Sequence, residues 1–158
     1  MRGQTAADQV FARDTRVYPI ESRLVLQIPR PRVLLADDHP GILRALRRTL
    51  SESCDIVGEV SSGDEVLEAV RTHAPQILVL DLSLPGVSGL DLCPLIREAR
   101  PDTSIIVLTA FDDEDIRAEV LRLGASAMVL KNRLAVDLVA RIHKVLVGDL
   151  QLASSADS

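Results

Sequence analysis

The sequence predicts an α/β domain built from β-α-β units around a parallel sheet. Two observations carry that prediction. Short apolar, largely β-branched runs alternate along the chain with stretches of helical spacing, from Arg32 to about Gly148. The first, third and fourth runs are almost wholly apolar, as strands are when helices cover both faces of a sheet.

Strand 1 is Val33 to Ala36. The next helix opens near Pro40, a residue suited to the first helical position, and lines up Ile42, Leu43, Leu46 and Leu50 on one face. Strand 2 covers about Ile56 to Val60, after which Ser62-Gly63-Asp64-Glu65 has the capping-box pattern and starts a helix through Val66, Leu67 and Val70. Pro75 closes it, and strand 3 follows at Ile77 to Leu80. A turn-rich loop, Pro85-Gly86-Val87-Ser88-Gly89, leads into helix 3, which extends to about Arg100. Pro94 sits inside it, so the helix is expected to kink or to start late. Strand 4 is Ile105 to Leu108, and helix 4 runs from about Asp113 to Leu123, with Gly124 as its stop. Strand 5 is Met128 to Leu130, and helix 5 turns Val136, Val139, Ile142 and Leu146 inward.

The rest of the chain divides around this domain, at 31–148. Residues 1–30 mix charges with Gln and Thr and are expected to be a disordered extension, or to reflect a start placed too far upstream. Leu24-Val25-Leu26 is their only strand-like stretch, and Gln27 and Pro29 cut it short. Residues 149–158 read as a tail, too short for a second domain, so no attached DNA-binding module is expected if the full chain ends here. Of 158 residues, 47% are apolar, enough for one full core. A net charge of −5 argues against a nucleic-acid-binding surface, and the scarcity of aromatic residues against base stacking. No run is long enough to span a bilayer and no signal peptide is evident. Cys54 and Cys93 lack metal or redox spacing and read as reduced and buried, which fits a cytoplasmic protein.

The polar residues at the strand ends carry the chemistry. Strand 1 runs into Asp37-Asp38, strand 3 into Asp81, strand 4 into Thr109 and strand 5 into Lys131. In an open parallel sheet, groups beyond the carboxyl ends of the strands converge on one crevice. Three clustered carboxylates repel one another unless a divalent cation joins them, and Mg2+ takes one or two carboxylates together with waters and phosphate oxygens. Asp38 and Asp81 are the expected direct ligands, with the Ser83 backbone carbonyl as a third and Asp37 acting through water. A carboxylate can attack a phosphoryl group and carry it as an aspartyl phosphate, and Asp81, ending the most hydrophobic strand, is the candidate. The transferred group needs partners for three oxygens. Mg2+, the Lys131 ammonium, and the Thr109 hydroxyl with nearby backbone N–H groups supply them. Taken singly, an Asp after a strand is usually a turn or cap residue, and the Lys and Thr have equally plain roles. Their combination, in order, is what points to a site.

These residues resemble the receiver domain of bacterial two-component response regulators. The likeness rests on Asp37-Asp38, on Asp81 within Leu80-Asp81-Leu82-Ser83-Leu84-Pro85-Gly86-Val87-Ser88-Gly89, on Thr109-Ala110 and on Lys131, and covers about residues 32–148. It implies a flavodoxin-like, doubly wound five-stranded sheet in order 2-1-3-4-5. It also implies Mg2+-dependent phosphoryl transfer to Asp81 from a sensor histidine kinase or phosphotransfer protein. Asp-Asp-His-Pro at strand 1, with Gly-Ala-Ser and Val-Leu-Lys near strand 5, is similar to receivers that precede LuxR-type helix-turn-helix domains.

Three features depart from the family pattern. Asn132, not Pro, follows Lys131; Met128 stands where the family usually has a switching Tyr or Phe; and the usual output domain is absent. The resemblance therefore implies a single-domain phosphoacceptor, not an enzyme beyond self-catalysed transfer and dephosphorylation, that signals to a downstream protein by contact. The helix 4–strand 5–helix 5 face is its candidate homodimer surface. The alternatives are the receiver part of a DNA-binding regulator and a binding module that works without phosphate. A haloacid-dehalogenase-type phosphohydrolase needs a second Asp two residues after the nucleophile, where Ser83 stands. His39 is expected to shape the start of helix 1, not to bind metal, and His73 and His143 lack zinc spacing. Arg44, Arg47 and Arg48 form a basic stripe, either a solvated face or a partner surface. Ser83 and Phe111 border the pocket and are expected to tune phosphoryl lifetime.

Overall fold

A computed structural model describes the backbone of residues 30–156 and the side chains of residues 30–149. The stretch Leu24-Val25-Leu26 lies outside the described residues. Five strands form one parallel sheet: β1 (Arg32–Ala36), β2 (Asp55–Val60), β3 (Ile77–Asp81), β4 (Ser104–Thr109) and β5 (Ala127–Leu130), in order β2-β1-β3-β4-β5. The helices are α1 (Pro40–Leu50), α2 (Gly63–His73), α3 (Gly89–Ala99), α4 (Glu114–Arg122) and α5 (Leu134–Ala156), the last preceded by a 3-10 turn at Lys131–Arg133. This is the flavodoxin-like, doubly wound arrangement. Residues Arg30–Val145 form one compact unit that holds the whole sheet.

Alternation along the strands explains why the sheet is buried on both sides. Leu34, Ala36, Leu78, Leu80, Ile105, Val107 and Met128 share one core with Val66 and Val70 of α2, Leu92, Cys93 and Ile96 of α3, and Val120 of α4. The intervening residues Val33, Leu35, Ile77, Val79, Ile106 and Leu108 point the other way and are equally buried. Leu46 and Leu50 of α1 and Leu134, Leu138 and Ile142 of α5 are the buried helical residues left to cover that second face. β2, at the edge, is only partly buried.

Several local details differ from the sequence expectation. α5 buries Ile142 and Leu146 as expected, and Leu134 and Leu138 besides, while Val136 is 70% exposed and Val139 half-buried. The 3-10 turn after β5 sets the phase of the helix, so an i, i+4, i+8 row beginning at Leu134 faces inward. The helix also continues past Gly148 to Ala156, through residues that read as a tail. α3 does not start late; it begins at Gly89, with the Asp91 N–H donating to Ser88 Oγ, and carries the proline on its exposed side. At α2 the capping box is rearranged. Glu65 accepts from the Ser61 N–H and from the Ser62 hydroxyl, and Ser62 makes no side-chain cap.

Two glycines are required by geometry. Gly63 donates its N–H to the Pro85 carbonyl, and a Cβ there would lie 1.9 Å from the Val87 carbonyl oxygen. This close approach docks the β3–α3 loop against the start of α2. Gly124 has φ +111, and its left-handed conformation ends α4 as expected.

Candidate functional site

Strand register delivers the candidate residues to one edge of the sheet. Ala36 pairs with Leu80, so the next residues, Asp37 and Asp81, are neighbours. Asp81 pairs with Leu108, which brings Thr109 one step beyond it; Thr109 pairs with Leu130, which brings Lys131 beyond that. All four therefore stand at the carboxyl ends of parallel strands, where an open α/β sheet binds its ligands.

Asp37 and Asp81 are fully buried. Asp37 Oδ1 accepts the His39 N–H at 2.8 Å, and Asp81 Oδ1 accepts the Ser83 N–H at 3.0 Å. Each carboxylate thus holds the loop that follows it in an Asx-type turn. Their second oxygens face Lys131, whose Nζ lies 3.3 Å from Asp37 Oδ2 and 3.1 Å from Asp81 Oδ2. Burial works against the Lys131 ammonium, but hydrogen bonding and charge from Asp81, followed by Asp37, outweigh it and raise its pKa above the ordinary lysine value. Asp38 is part-exposed at the pocket mouth. Thr109, buried at the end of β4, accepts the Phe111 N–H at its Oγ1 (3.2 Å), which leaves the hydroxyl proton free to donate. Phe111 itself is 67% exposed.

The donor set suits a hard divalent cation. Lys131 offsets one of the three carboxylate charges, and it is shared between Asp37 Oδ2 and Asp81 Oδ2. One ammonium leaves a net negative charge among three carboxylates, and a divalent cation bound to them relieves that repulsion. Oxygen ligands in this pattern fit Mg2+.

His39 lies beside the carboxylates. His39 is the N-cap residue of α1 but makes no side-chain cap; its Nδ1 lies 3.1 Å from Asp38 Oδ1 and 3.4 Å from Asp37 Oδ1. Asp37, Asp38, His39 and Asp81 offer ligand atoms that all lie within 4.8 Å of one another. The only sequence signal was adjacency to the Asp pair. By contrast, Arg47 of the basic stripe is engaged by Glu59 at 2.6 Å, beside the β2 edge. His143 is held below the ordinary histidine pKa by burial. Both cysteines are buried free thiols, and burial pushes both up, Cys93 to about 11, which favours the protonated form. Among the described residues no helix is long and apolar enough to cross a membrane.

Comparison with known proteins agrees with this geometry. Residues 33–143 match the response regulator receiver domain family. The oxygen regulatory protein NreC of Staphylococcus epidermidis is 36% identical over 131 residues, covering 78% of this chain and 60% of NreC. The chain thus spans about 60% of the length of that relative. The receiver domain of the putative response regulator NarL from Mycobacterium tuberculosis superposes with a TM-score of 0.67 at 30% identity, over 74% of this chain and 98% of that one. The non-phosphorylated receiver domain of the stress response regulator RcsB from Escherichia coli gives 0.68 at 32% identity, over 73% and 95%.

Proposed function

Because the chain belongs to the response regulator receiver domain family, we propose that it accepts a phosphoryl group on Asp81 and relays the signal by protein contacts. The donor is a sensor histidine kinase or a phosphotransfer protein, and the reaction depends on Mg2+. The observation that carries this is the state of Asp81: fully buried at the end of the central strand, with Oδ1 held by the Ser83 amide and Oδ2 paired with the Lys131 ammonium.

The chemistry follows from these contacts. An Asp81 oxygen attacks the donor phosphorus, a P–N bond breaks, and the donor imidazole leaves as the O–P bond forms. Lys131 moves from the carboxylate to one phosphoryl oxygen, a shift for which its ammonium is already charged. Thr109 turns its free hydroxyl proton to a second oxygen. Asp38, Asp81 and the Ser83 carbonyl are the proposed metal ligands, with Asp37 acting through an intervening water. Mg2+ held by these residues would supply positive charge to the transferring group. No enzymatic turnover of a separate substrate is part of this role.

Intact-mass spectrometry after incubation with acetyl phosphate tests it, with and without Mg2+. Wild type is expected to gain a single Mg2+-dependent phosphoryl adduct, and Asp81→Asn none. An adduct that persists in Asp81→Asn refutes the assignment.

A second mode, partner binding independent of phosphate, draws support from Met128. This residue is 3% exposed within β5 and has no ring to reorient between surface and interior. Unchanged partner affinity in Asp81→Asn would favour that mode.

A further inference from the structure

We propose that the β3–α3 loop is a strap that carries the phosphorylation state of Asp81 to the start of α2. The device rests on the reading of Asp81 as the phosphoacceptor, and adds to it a route by which the signal leaves the pocket.

The loop, residues 82–88, is tied at both ends of a short span. At the pocket, the Ser83 N–H donates to Asp81 Oδ1 at 3.0 Å. Two residues on, the Pro85 carbonyl accepts the Gly63 N–H at 2.8 Å. Gly63 lies too close to the Val87 backbone to carry a side chain, and a Cβ on Gly86, at φ +84, would strike the Asp64 carboxylate. Three consecutive loop residues, Pro85, Gly86 and Val87, therefore rest on the first two residues of α2. Leu84 is buried in the core that also takes Val66 of α2, and Val87 packs against the same core.

This span has little slack. Only Leu84 separates Ser83 from Pro85, and its side chain is fixed in the core. The proline ring sets φ at position 85. A displacement of the Ser83 amide is therefore passed on to the Pro85 carbonyl. Phosphorylation supplies the displacement. It removes the negative charge from the Asp81 carboxyl group, and a hydrogen bond to an ionised acceptor is about twice as strong as one to a neutral acceptor. Oδ1 loosens its hold on Ser83, and the Gly63–Pro85 bond opens at the far end of the span.

The other flank of the pocket is built differently. Thr109 Oγ1 accepts the Phe111 N–H, and residues 110–115 are all exposed to solvent. Met128, buried in β5, offers a thioether and no hydrogen-bond donor to follow the hydroxyl. Of the two loops, the one that follows Asp81 is the one docked on the start of a helix.

Hydrogen–deuterium exchange of the full chain, with acetyl phosphate and Mg2+ or with Mg2+ alone, tests the strap. Intact mass of the same samples reports the adduct. In phosphorylated wild type the Gly63 amide is expected to exchange about fivefold faster, the worth of one hydrogen bond, and residues 82–88 to change with it. Pro85→Gly keeps the carbonyl but gives the span slack. Asp64→Ala removes the contact with Gly86 from an exposed position. Both variants are expected to gain the phosphoryl adduct, with the Gly63 response lost in the first and weakened in the second. An adduct in wild type with no change at Gly63, or a full Gly63 response in Pro85→Gly, overturns the strap and leaves Asp81 as phosphoacceptor. No adduct in wild type overturns the reading of Asp81, and the strap with it.

Discussion

Lys131 holds two positions in the pocket's energetics that pull in different directions. In the metal-free protein it is the cation that compensates Asp37 and Asp81, two carboxylates that have no exposure to water of their own. In the proposed reaction it must release Asp81 and follow the phosphoryl group. Removing it exposes the first role. Lys131→Met keeps most of the side-chain volume but leaves two buried carboxylates uncompensated, and is expected to cost about 3 kcal/mol in chelator, since breaking one side of a buried pair leaves the other charge stranded. Mg2+ meets no competing ammonium in the variant. It should therefore raise the stability of Lys131→Met more than that of wild type, by linkage to binding. Urea unfolding in chelator and in Mg2+ measures both effects; equal stability of the two proteins in chelator would contradict the ion-pair account. At this scale the sequence was informative where a side chain's place follows from its strand. Asp37, Asp81, Thr109 and Lys131 each follow an apolar run, and parallel register does the rest. It was uninformative where a ring rotation decides, as at His39, whose approach to two carboxylates depends on the turn that Asp37 builds under it.

Helix α3 shows how an element tolerates a residue that local propensity rejects. Pro94 lacks the N–H that a regular helix would donate to the Leu90 carbonyl, yet α3 runs unbroken from Gly89 to Ala99. Burial of Leu92, Cys93 and Ile96 against the sheet outweighs the defect, because each large buried side chain contributes about 1.5–3 kcal/mol and the proline costs about 3. Pro94 is itself exposed, so replacing it removes no core contact. Pro94→Ala is expected to stabilise the protein by about 1–3 kcal/mol, seen as a higher urea midpoint with an unchanged slope. A neutral or destabilising result would mean that the proline holds the β3–α3 loop in place. The same competition between local signal and packing explains which elements were legible. Strands β1, β3 and β4 were plain because nothing but a two-sided core accounts for such runs. On α5, Ile142 and Leu146 were legible, but the first turns were not, because the short 3-10 turn at Lys131–Arg133 that precedes the helix and leads into the buried Leu134 leaves no mark in the hydrophobic spacing. The docking of Gly63 on Val87 was equally hidden, since residues 24 positions apart meet only once the sheet is assembled.

At the scale of the whole molecule, the site is a property of the sheet and not of any one segment. Asp37, Asp81, Thr109 and Lys131 come from four strand ends spread over most of the compact unit, and only the order β2-β1-β3-β4-β5 brings them together. The site therefore forms or fails with the global fold. The same reasoning limits what the rest of the chain contributes. Among the described residues, the five strands, the pocket residues Asp37, Asp38, Asp81, Thr109 and Lys131, and the buried Leu134, Leu138 and Ile142 of α5 lie within residues 30–149. We accordingly take residues 31–148 as the receiver unit. A fragment spanning residues 30–149 is expected to unfold in one cooperative step, within about 1 kcal/mol of the full chain. It should also acquire the Asp81 phosphoryl adduct from acetyl phosphate and Mg2+ at the rate of the full chain. Circular dichroism in urea and timed intact-mass measurements read the two expectations separately. A fragment that folds with full stability but phosphorylates slowly would show that residues beyond it act on the pocket. One that loses stability and adduct together would extend the folding unit past these boundaries.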